Sequence, residues 1–489
     1  MKRRTALAAA ITAVGATLLP RSASAAALTP KVLVIGVDGL LATRIDAANA
    51  PHLKAMRANG IDGRSLLYAA PMAATSSGPG WATILTGVWP DKHKVVDNSF
   101  GGNALGSFPD WVSRAKAARP SLDTYAAVDW KPIADRILGT AIDTRHVFDG
   151  DADGYVGHDR TIADLSAAHL RDDRADASFV YFGQVDIVGH NSGAASQTYL
   201  NEIARIDGYI GRLVAAVNAR PTRAQESWRI IVTTDHGHTP GGGHGGNSPD
   251  ERTTFVLLTG DGITRAAPKT TRLVDVAATA LAHLGVAAPS TADGRPATVV
   301  SSDPFDTVAL GPAVDEAVDA SILGWTAALP SGWTRENTAM SGGMTEWRGW
   351  SLTSDAFWSA AQRGQGRETF VRGRGTIAVA DCDEWADRSD ATGKTFDSTL
   401  WTPARTVSGT AVKVTMTHWY RHEGDQRGYL LARWNGGAAT VLRTYSTDSV
   451  NGTETVTAAV PSGATNVRIG FRLVGVNNWY WAVDDVRIS

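Results

Sequence analysis

Three stretches of this sequence constrain its fold most: KVLVIGVDG (31–39), ASFVYFGQVD (177–186) and WRIIVTTDHG (228–237). Each is a continuous aliphatic and β-branched run that turns polar at its last residues. Strands buried on both faces read this way, and they belong to parallel sheets covered by helices. Helical patterns separate the runs. TYLNEIARIDGYIGRLVAAVNAR (198–220) places apolar residues at helical spacing, and RLVDVAATALAHLG (272–285) does so up to Gly285. The expected fold of residues 26–302 is therefore α/β: a doubly wound, mostly parallel sheet with helices on both faces.

A chain of 489 residues is too long for one ordinary core. The composition changes after about residue 303, and eleven of the sixteen tryptophans lie from Trp325 onward. There AVKVTMTHWY (411–420), GYLLARWN (428–435), TETVTAAV (453–460) and NVRIGFRLVG (466–475) alternate at strand period between Asn-Gly and Ser-Gly turns. This predicts a connector over 303–330 and an antiparallel, jelly-roll-like β-sandwich over 331–489. Its aromatic residues suit either a core or a face that stacks on carbohydrate or another cell-surface group. Trp479 and Trp481, two apart, are expected on one inward face.

The first 25 residues read as a signal peptide: basic Lys2, Arg3 and Arg4, an apolar Ala6–Leu19, and a small-residue Ala23-Ser24-Ala25 cleavage site. Arg3-Arg4 leaves twin-arginine export open beside the general secretory route. A secreted protein without a membrane span is expected, because no later run of eighteen apolar residues occurs. Cys382 is the only cysteine, so no internal disulfide forms. A net charge of −2 without a basic stripe argues against a nucleic-acid scaffold.

The three apolar strands also share their chemistry. Each delivers acidic or imidazole groups at its C-terminal end, the edge where open α/β sheets bind ligands. The first gives Asp38, the second Asp186 and His190, the third Asp235 and His236, with His238 and His244 in the glycine-rich HTPGGGHGG behind. Such carboxylates repel one another unless cations hold them. Mixed imidazole and carboxylate donors suit Zn²⁺ or Mn²⁺, and there are enough for two ions, a device that clamps phosphoryl groups.

The order VIGVDG, a hydroxyl residue before TILTGVWPDKH, then DIVGH, TTDHG and GGHGG resembles the alkaline phosphatase superfamily. Within it the chain is most similar to the nucleotide pyrophosphatase/phosphodiesterase branch, over residues 30–300. The resemblance implies one metal held by Asp186, His190 and His244 and a second held by Asp38, Asp235 and His236. The residues themselves leave open whether His238 or His244 completes the first set; His238 is otherwise expected behind the ligands or facing substrate. The family nucleophile stands six residues before the Thr of TIxTG, here Thr83, which lands on Ser77. Ser77 would also bridge toward the second metal. The family continues from its nucleophile with an aromatic, Pro, Asn and His; here Gly78, Pro79, Gly80 and Trp81 follow, an exchange expected to widen the site.

A serine hydroxyl needs a base or a metal to act as a nucleophile, and a metal would serve here. The alternative for Ser77 is a helix N-cap, while Thr75 and Ser76 read as turn or supporting residues. The resemblance makes Asn98 a donor to a non-bridging phosphate oxygen. A neutral amide there favours diesters, whereas a monoesterase typically recruits an arginine fork. The expectation is a secreted two-metal phosphodiesterase/nucleotide pyrophosphatase acting on a small-molecule phosphodiester or nucleotide. Alternatives are a phosphomonoesterase or phosphonate hydrolase on the same scaffold, or a non-catalytic surface-binding protein. DGDADGY (149–155) opens like a calcium loop, but its twelfth position is Arg160, so a polar surface loop is the simpler reading. Asp484 and Asp485 suggest a structural calcium that no neighbouring sequence supports.

Overall fold

The first apolar run becomes β1 (Thr29–Val37), buried from Lys31 onward. Alternate residues serve opposite layers: Val32 and Val34 join one core, Leu33, Ile35 and Val37 the other. A strand apolar on both faces needs cover on both, and this chain supplies it. Helices Ser77–Thr86, Trp111–Ala118 and Asp275–His283 contribute to the first core, and Tyr155–Asp172 and Gln197–Asn218 to the second. The computed structural model describes residues 27–265, 270–337, 340–449 and 451–489. The expected signal peptide, 1–25, lies outside the described residues.

Six more strands complete the sheet: β2 (Ile61–Leu66), β3 (Thr124–Val128), β4 (Thr144–Val147), β5 (Ala177–Phe182), β6 (Glu226–Thr233) and β7 (Thr253–Gly260). Their order is β2-β7-β6-β1-β5-β3-β4. Only β7 opposes its neighbours; the other pairings are parallel. Gly36 sits beside both Tyr181 and Thr233, so β5, β1 and β6 end level at the centre of the sheet. The three polar run-ends therefore emerge together. The doubly wound, mostly parallel sheet is as the apolar runs predict.

Beyond it, two antiparallel sheets face each other. One runs Gly452–Ala459, Ala411–Tyr420, Tyr480–Ile488, Thr376–Asp381, Ser351–Ser354, Trp325–Thr326 from edge to edge. The other runs Ala439–Tyr445, Arg427–Trp434, Asn466–Gly475, Phe396–Trp401, Thr334–Asn337, with Arg405–Thr406 flanking Asn466–Gly475. Trp347, Trp350, Trp358, Trp385 and Trp481 are buried between them, so much of the tryptophan content is core. Trp479 departs from the expected shared inward face. It precedes the last strand, is only half-buried, and carries the Arg421 guanidinium 3.9 Å over its ring.

The sandwich meets the α/β domain through a segment rich in arginine. Arg374 forks onto Asp275 at 2.8 and 2.9 Å, and Arg372 Nη2 donates to both oxygens of Asp91 at 2.6 and 2.8 Å. From the other side, Arg272 donates to Gly373 O at 2.5 Å and Arg252 to Glu368 O at 3.1 Å. Bidentate, largely buried pairs of this kind fix one relative geometry, because removing one partner strands a buried charge. Among the described residues, no helix is long and apolar enough to cross a membrane.

Candidate active site

Asp38 follows β1 directly and is 2% exposed. Its Oδ2 accepts from Tyr181 Oη at 2.6 Å and from Trp81 Nε1 at 2.8 Å. Sequence reasoning missed both of these donors. The available signals were a lone tyrosine in an otherwise apolar strand and a tryptophan one helical turn after Ser77. Gly39 next turns the chain at φ +62°, and a Cβ there would lie 2.7 Å from Asp186 Oδ1. Only glycine meets both demands.

The second run divides in two. Its apolar part is β5, and its polar end opens the helix Gln184–Ser192, which carries Asp186 and His190 one turn apart. The third run ends in a turn locked by Thr234, whose Oγ1 accepts from Leu40 N and donates to His236 O, both at 2.9 Å. Asp235 Oδ1 accepts from Gly39 N at 3.1 Å, tying β6 to β1.

His244 arrives from the glycine-rich loop, which Thr75 holds. Thr75 Oγ1 accepts from Gly245 N and donates to Gly246 O at 2.9 Å, while His244 Nδ1 donates to Thr75 O at 2.8 Å. His236 Nδ1 likewise donates to Gly237 O at 3.0 Å. With each Nδ1–H used on a carbonyl, both Nε2 lone pairs face the cluster.

The donors fall into two overlapping groups. Asp38, Asp235 and His236 form one; Asp186, His236, His238 and His244 form the other, with donor atoms in each group within 4.8 Å of one another. His190 joins the second group at its open side, its Nε2 2.9 Å from His244 Nε2 and 3.4 Å from Asp186 Oδ2. His238 and His244 both reach this group. His238 Nε2 lies 2.7 Å from Asp186 Oδ1, and the side chain is fully buried.

Burial and the Asp186 charge push the Asp38 carboxyl up to about 8. Burial and Asp38 move Asp235 well above the carboxylate range. Burial would raise Asp186 too, but hydrogen bonds with His190 and His238 outweigh it and hold the group low. Burial also pushes His236 and His244 down, keeping the rings neutral and able to coordinate. The Asp38, Asp235 and His236 group fits a cation by a direct criterion. Asp235 Oδ2 is buried without a hydrogen-bond partner, and an isolated buried carboxylate oxygen is costly unless a cation meets it.

Ser77 opens the helix Ser77–Thr86, whose ten residues are all buried. Ser76 takes the N-cap position without a side-chain cap bond, so the Ser77 hydroxyl does not cap the helix. Its Oγ lies 3.4 Å from Asp38 Oδ1 and 3.5 Å from His236 Nε2. Asn98 accepts from Gly78 N through Oδ1 at 2.7 Å, which leaves its amide N–H groups free. The glycines beside Ser77 do not widen the site. A Cβ on Gly80 would lie 2.6 Å from Asp235 Cβ, and one on Gly78 would lie 2.8 Å from Asp97 O. Gly80 lets the helix pack close to Asp235, and Gly78 lets it pack close to the 97–98 turn. In the 149–155 loop, Asp149 caps Ala152 N at 3.3 Å and Asp151 accepts from Tyr155 Oη at 2.6 Å, contacts internal to the loop.

The model of the type I phosphodiesterase/nucleotide pyrophosphatase family matches residues 32–300, over half of the chain. Human ectonucleotide pyrophosphatase/phosphodiesterase family member 7 is 26% identical over 43% of this chain and 48% of its own. The rat protein of that name is 24% identical over 43% of this chain and 50% of its own. The chain thus spans about half the length of the curated relatives it matches. A structure of murine ectonucleotide pyrophosphatase/phosphodiesterase 5 aligns with 53% of this chain and 96% of its own at 14% identity and a TM-score of 0.44. From the family match and the motifs it spans, the chain belongs to the type I phosphodiesterase/nucleotide pyrophosphatase family, within the alkaline phosphatase superfamily.

Proposed function

We propose that the protein hydrolyses phosphodiester or pyrophosphate bonds of small-molecule substrates, using two divalent cations and Ser77 as nucleophile. The position of Ser77 Oγ carries this reading: it stands at the head of a buried helix, within 3.5 Å of both Asp38 and His236. In this reading Asp38, Asp235 and His236 hold one ion beside Ser77. Asp186, His190 and His244 hold the other, with His238 against Asp186. The donor chemistry suits Zn²⁺, with Mn²⁺ the second choice. When bound, the ions lower the pKa of a coordinated hydroxyl and offset charge on the phosphoryl oxygens.

Ser77 Oγ bonds to phosphorus as the bond to the leaving oxygen breaks. The serine proton passes to solvent, the departing alcohol or nucleotide takes one up, and the other substituent stays on the serine-bound phosphoryl group. Water then cleaves the serine ester and regenerates the hydroxyl. In the first turn Gly78 N donates to Asn98, Pro79 has no N–H and Gly80 N donates to Ser76 O, so the Ser77 N–H is the group left to meet the anion among the described residues. Asn98 donates its free amide N–H to a non-bridging oxygen, and Asn98→Ala is expected to lower kcat about a hundredfold. Metal binding by that variant, measured by chelator competition, is expected to stay unchanged.

Among the described residues, Ser77 Oγ has Asp38 and His236 as its side-chain partners and no arginine, which favours an ester carrying one negative charge over a dianionic monoester. Steady-state kinetics with bis-p-nitrophenyl phosphate against p-nitrophenyl phosphate test this. A higher kcat/KM for the diester is expected. Faster monoester turnover would replace the reading with a phosphomonoesterase. The Lys2–Ala25 pattern supports export of the protein, by the general secretory or twin-arginine route.

A further inference from the structure

We infer that the β-sandwich is a working part of the active site, and that Glu368 is the positioning residue through which it acts. The inference rests on the proposed metal-holding role of His244 and concerns how that histidine is kept in place.

His244 sits on the loop 239–248, which contains five glycines and whose Gly242, Gly243 and Gly245 adopt φ of +104°, +83° and +108°. Such a loop has a large conformational entropy to lose, so a ligand on it needs external anchors. Three are visible. Thr75 grips Gly245 and Gly246 from the nucleophile side, as described above. Glu251 Oε1 accepts from Gly246 N at 2.7 Å, and the same carboxylate closes a capping box with Ser248. The third comes from the other domain: Asn247 Nδ2 donates to Glu368 Oε1 at 3.0 Å.

Glu368 is well placed to act as a fixed point. It is 3% exposed, and Arg252 Nη2 donates to its backbone carbonyl at 3.1 Å. Arg252 also donates through Nε to Leu67 O at 3.0 Å, and Arg252 follows Glu251 directly, so two anchors of the loop share one support. Thr369 O accepts from Asn451 Nδ2, which ties the same segment back into the sandwich. The path runs from the sandwich through Glu368 and Asn247 to the loop that presents His244. Outer partners of this sort orient metal ligands without touching the metal.

Full-length Glu368→Ala, Glu368→Gln and Asp91→Ala variants test the inference. Asp91→Ala removes the Arg372 ion pair from the same domain interface but does not touch the loop, so it reports loosening of the interface alone. Hydrogen exchange over residues 239–248 is measured in the metal-free protein, and Zn²⁺ affinity by chelator competition. Glu368→Ala is expected to speed exchange across the loop and to weaken one of the two Zn²⁺ sites about tenfold. Glu368→Gln keeps an acceptor at Oε1 and is expected to restore both readouts, while Asp91→Ala leaves both as in the wild type. Equal loop exchange in Glu368→Ala and Asp91→Ala would overturn the inference. If the wild type binds no divalent metal, the two-ion reading fails, and the metal-free exchange comparison still decides the role of Glu368.

Discussion

Ser77→Ala is expected to lower kcat on a diester substrate by roughly a thousandfold or more. The fold should survive. Although buried, the Ser77 hydroxyl makes two long contacts among the described residues, the cap position belongs to Ser76, and losing so weak a pair of hydrogen bonds costs about 1 kcal/mol. Activity and stability therefore separate in this variant, which makes it informative. Acid quenching of the wild type during turnover of a diester should trap the substituted phosphoryl group, with its second ester bond intact, on the peptide containing Ser77, and Ser77→Ala should trap none. Ser77→Thr keeps a hydroxyl at the same place and should retain measurable turnover. If Ser77→Ala kept a tenth of the wild-type rate, the nucleophile would lie elsewhere.

Removing the metals should abolish turnover and leave a signature in stability. Asp38 is pushed from 3.8 to about 8 by burial and by Asp186, so the folded, metal-free protein holds that proton more tightly than the unfolded chain does. The associated stability is present below about pH 4 and is lost as pH rises through about 8. His236 and His244 act in the opposite sense. Burial lowers them in the fold, so they cost stability only below their unfolded value of 6.5. Above pH 6.5 His236 and His244 become neutral in both states, while His190, raised by its bond to Asp186, adds a loss of stability in the same direction as the buried carboxyls. Asp38 then accounts for a loss of about 2 kcal/mol between pH 6.5 and about 8, with Asp235 adding in the same direction. The expected result is a metal-free Tm that falls by a few degrees over this range. Zn²⁺ should cancel the fall, because bound carboxylates stay ionised. A flat profile without metal would mean that the carboxyls are compensated by the protein itself.

Most of the site was legible because its residues sit where periodic patterns break. Asp38, Asp235 and His236 end apolar runs, and a buried strand leaves no ambiguity about where its polar end emerges. Asp186 and His190 were found by the same break, although the polar end proved to be a helix that sets them one turn apart. The three apolar runs mark the centre of the α/β sheet without help from the C-terminal half, whose strands are read from turn residues and alternation. What the sequence could not show depends on contacts across long separations. Tyr181 and Trp81 meet on Asp38 from 143 and 43 residues away. Thr75 reaches a loop 170 residues later, and Glu368 one from another domain. No local pattern marks such partners, because each residue is ordinary in its own segment. His238 is similarly hard to read: a histidine two places after His236 points wherever the turn sends it, and this turn sends it against Asp186.

Gly78, Gly80 and Trp81 have a consequence for how this site could change. Gly80 has no room for a side chain beside Asp235, and Trp81 fills the space over Gly36 while its indole N–H serves Asp38. Restoring the family's Asn at position 80 alone would displace Asp235, and restoring its His at position 81 alone would vacate a fully buried volume and strip Asp38 of a donor. Each single step back toward the common pattern crosses a defective intermediate. Positions 80 and 81 are thus tied to the carboxylates they touch, and a change at either calls for a compensating change around Asp235 or Asp38.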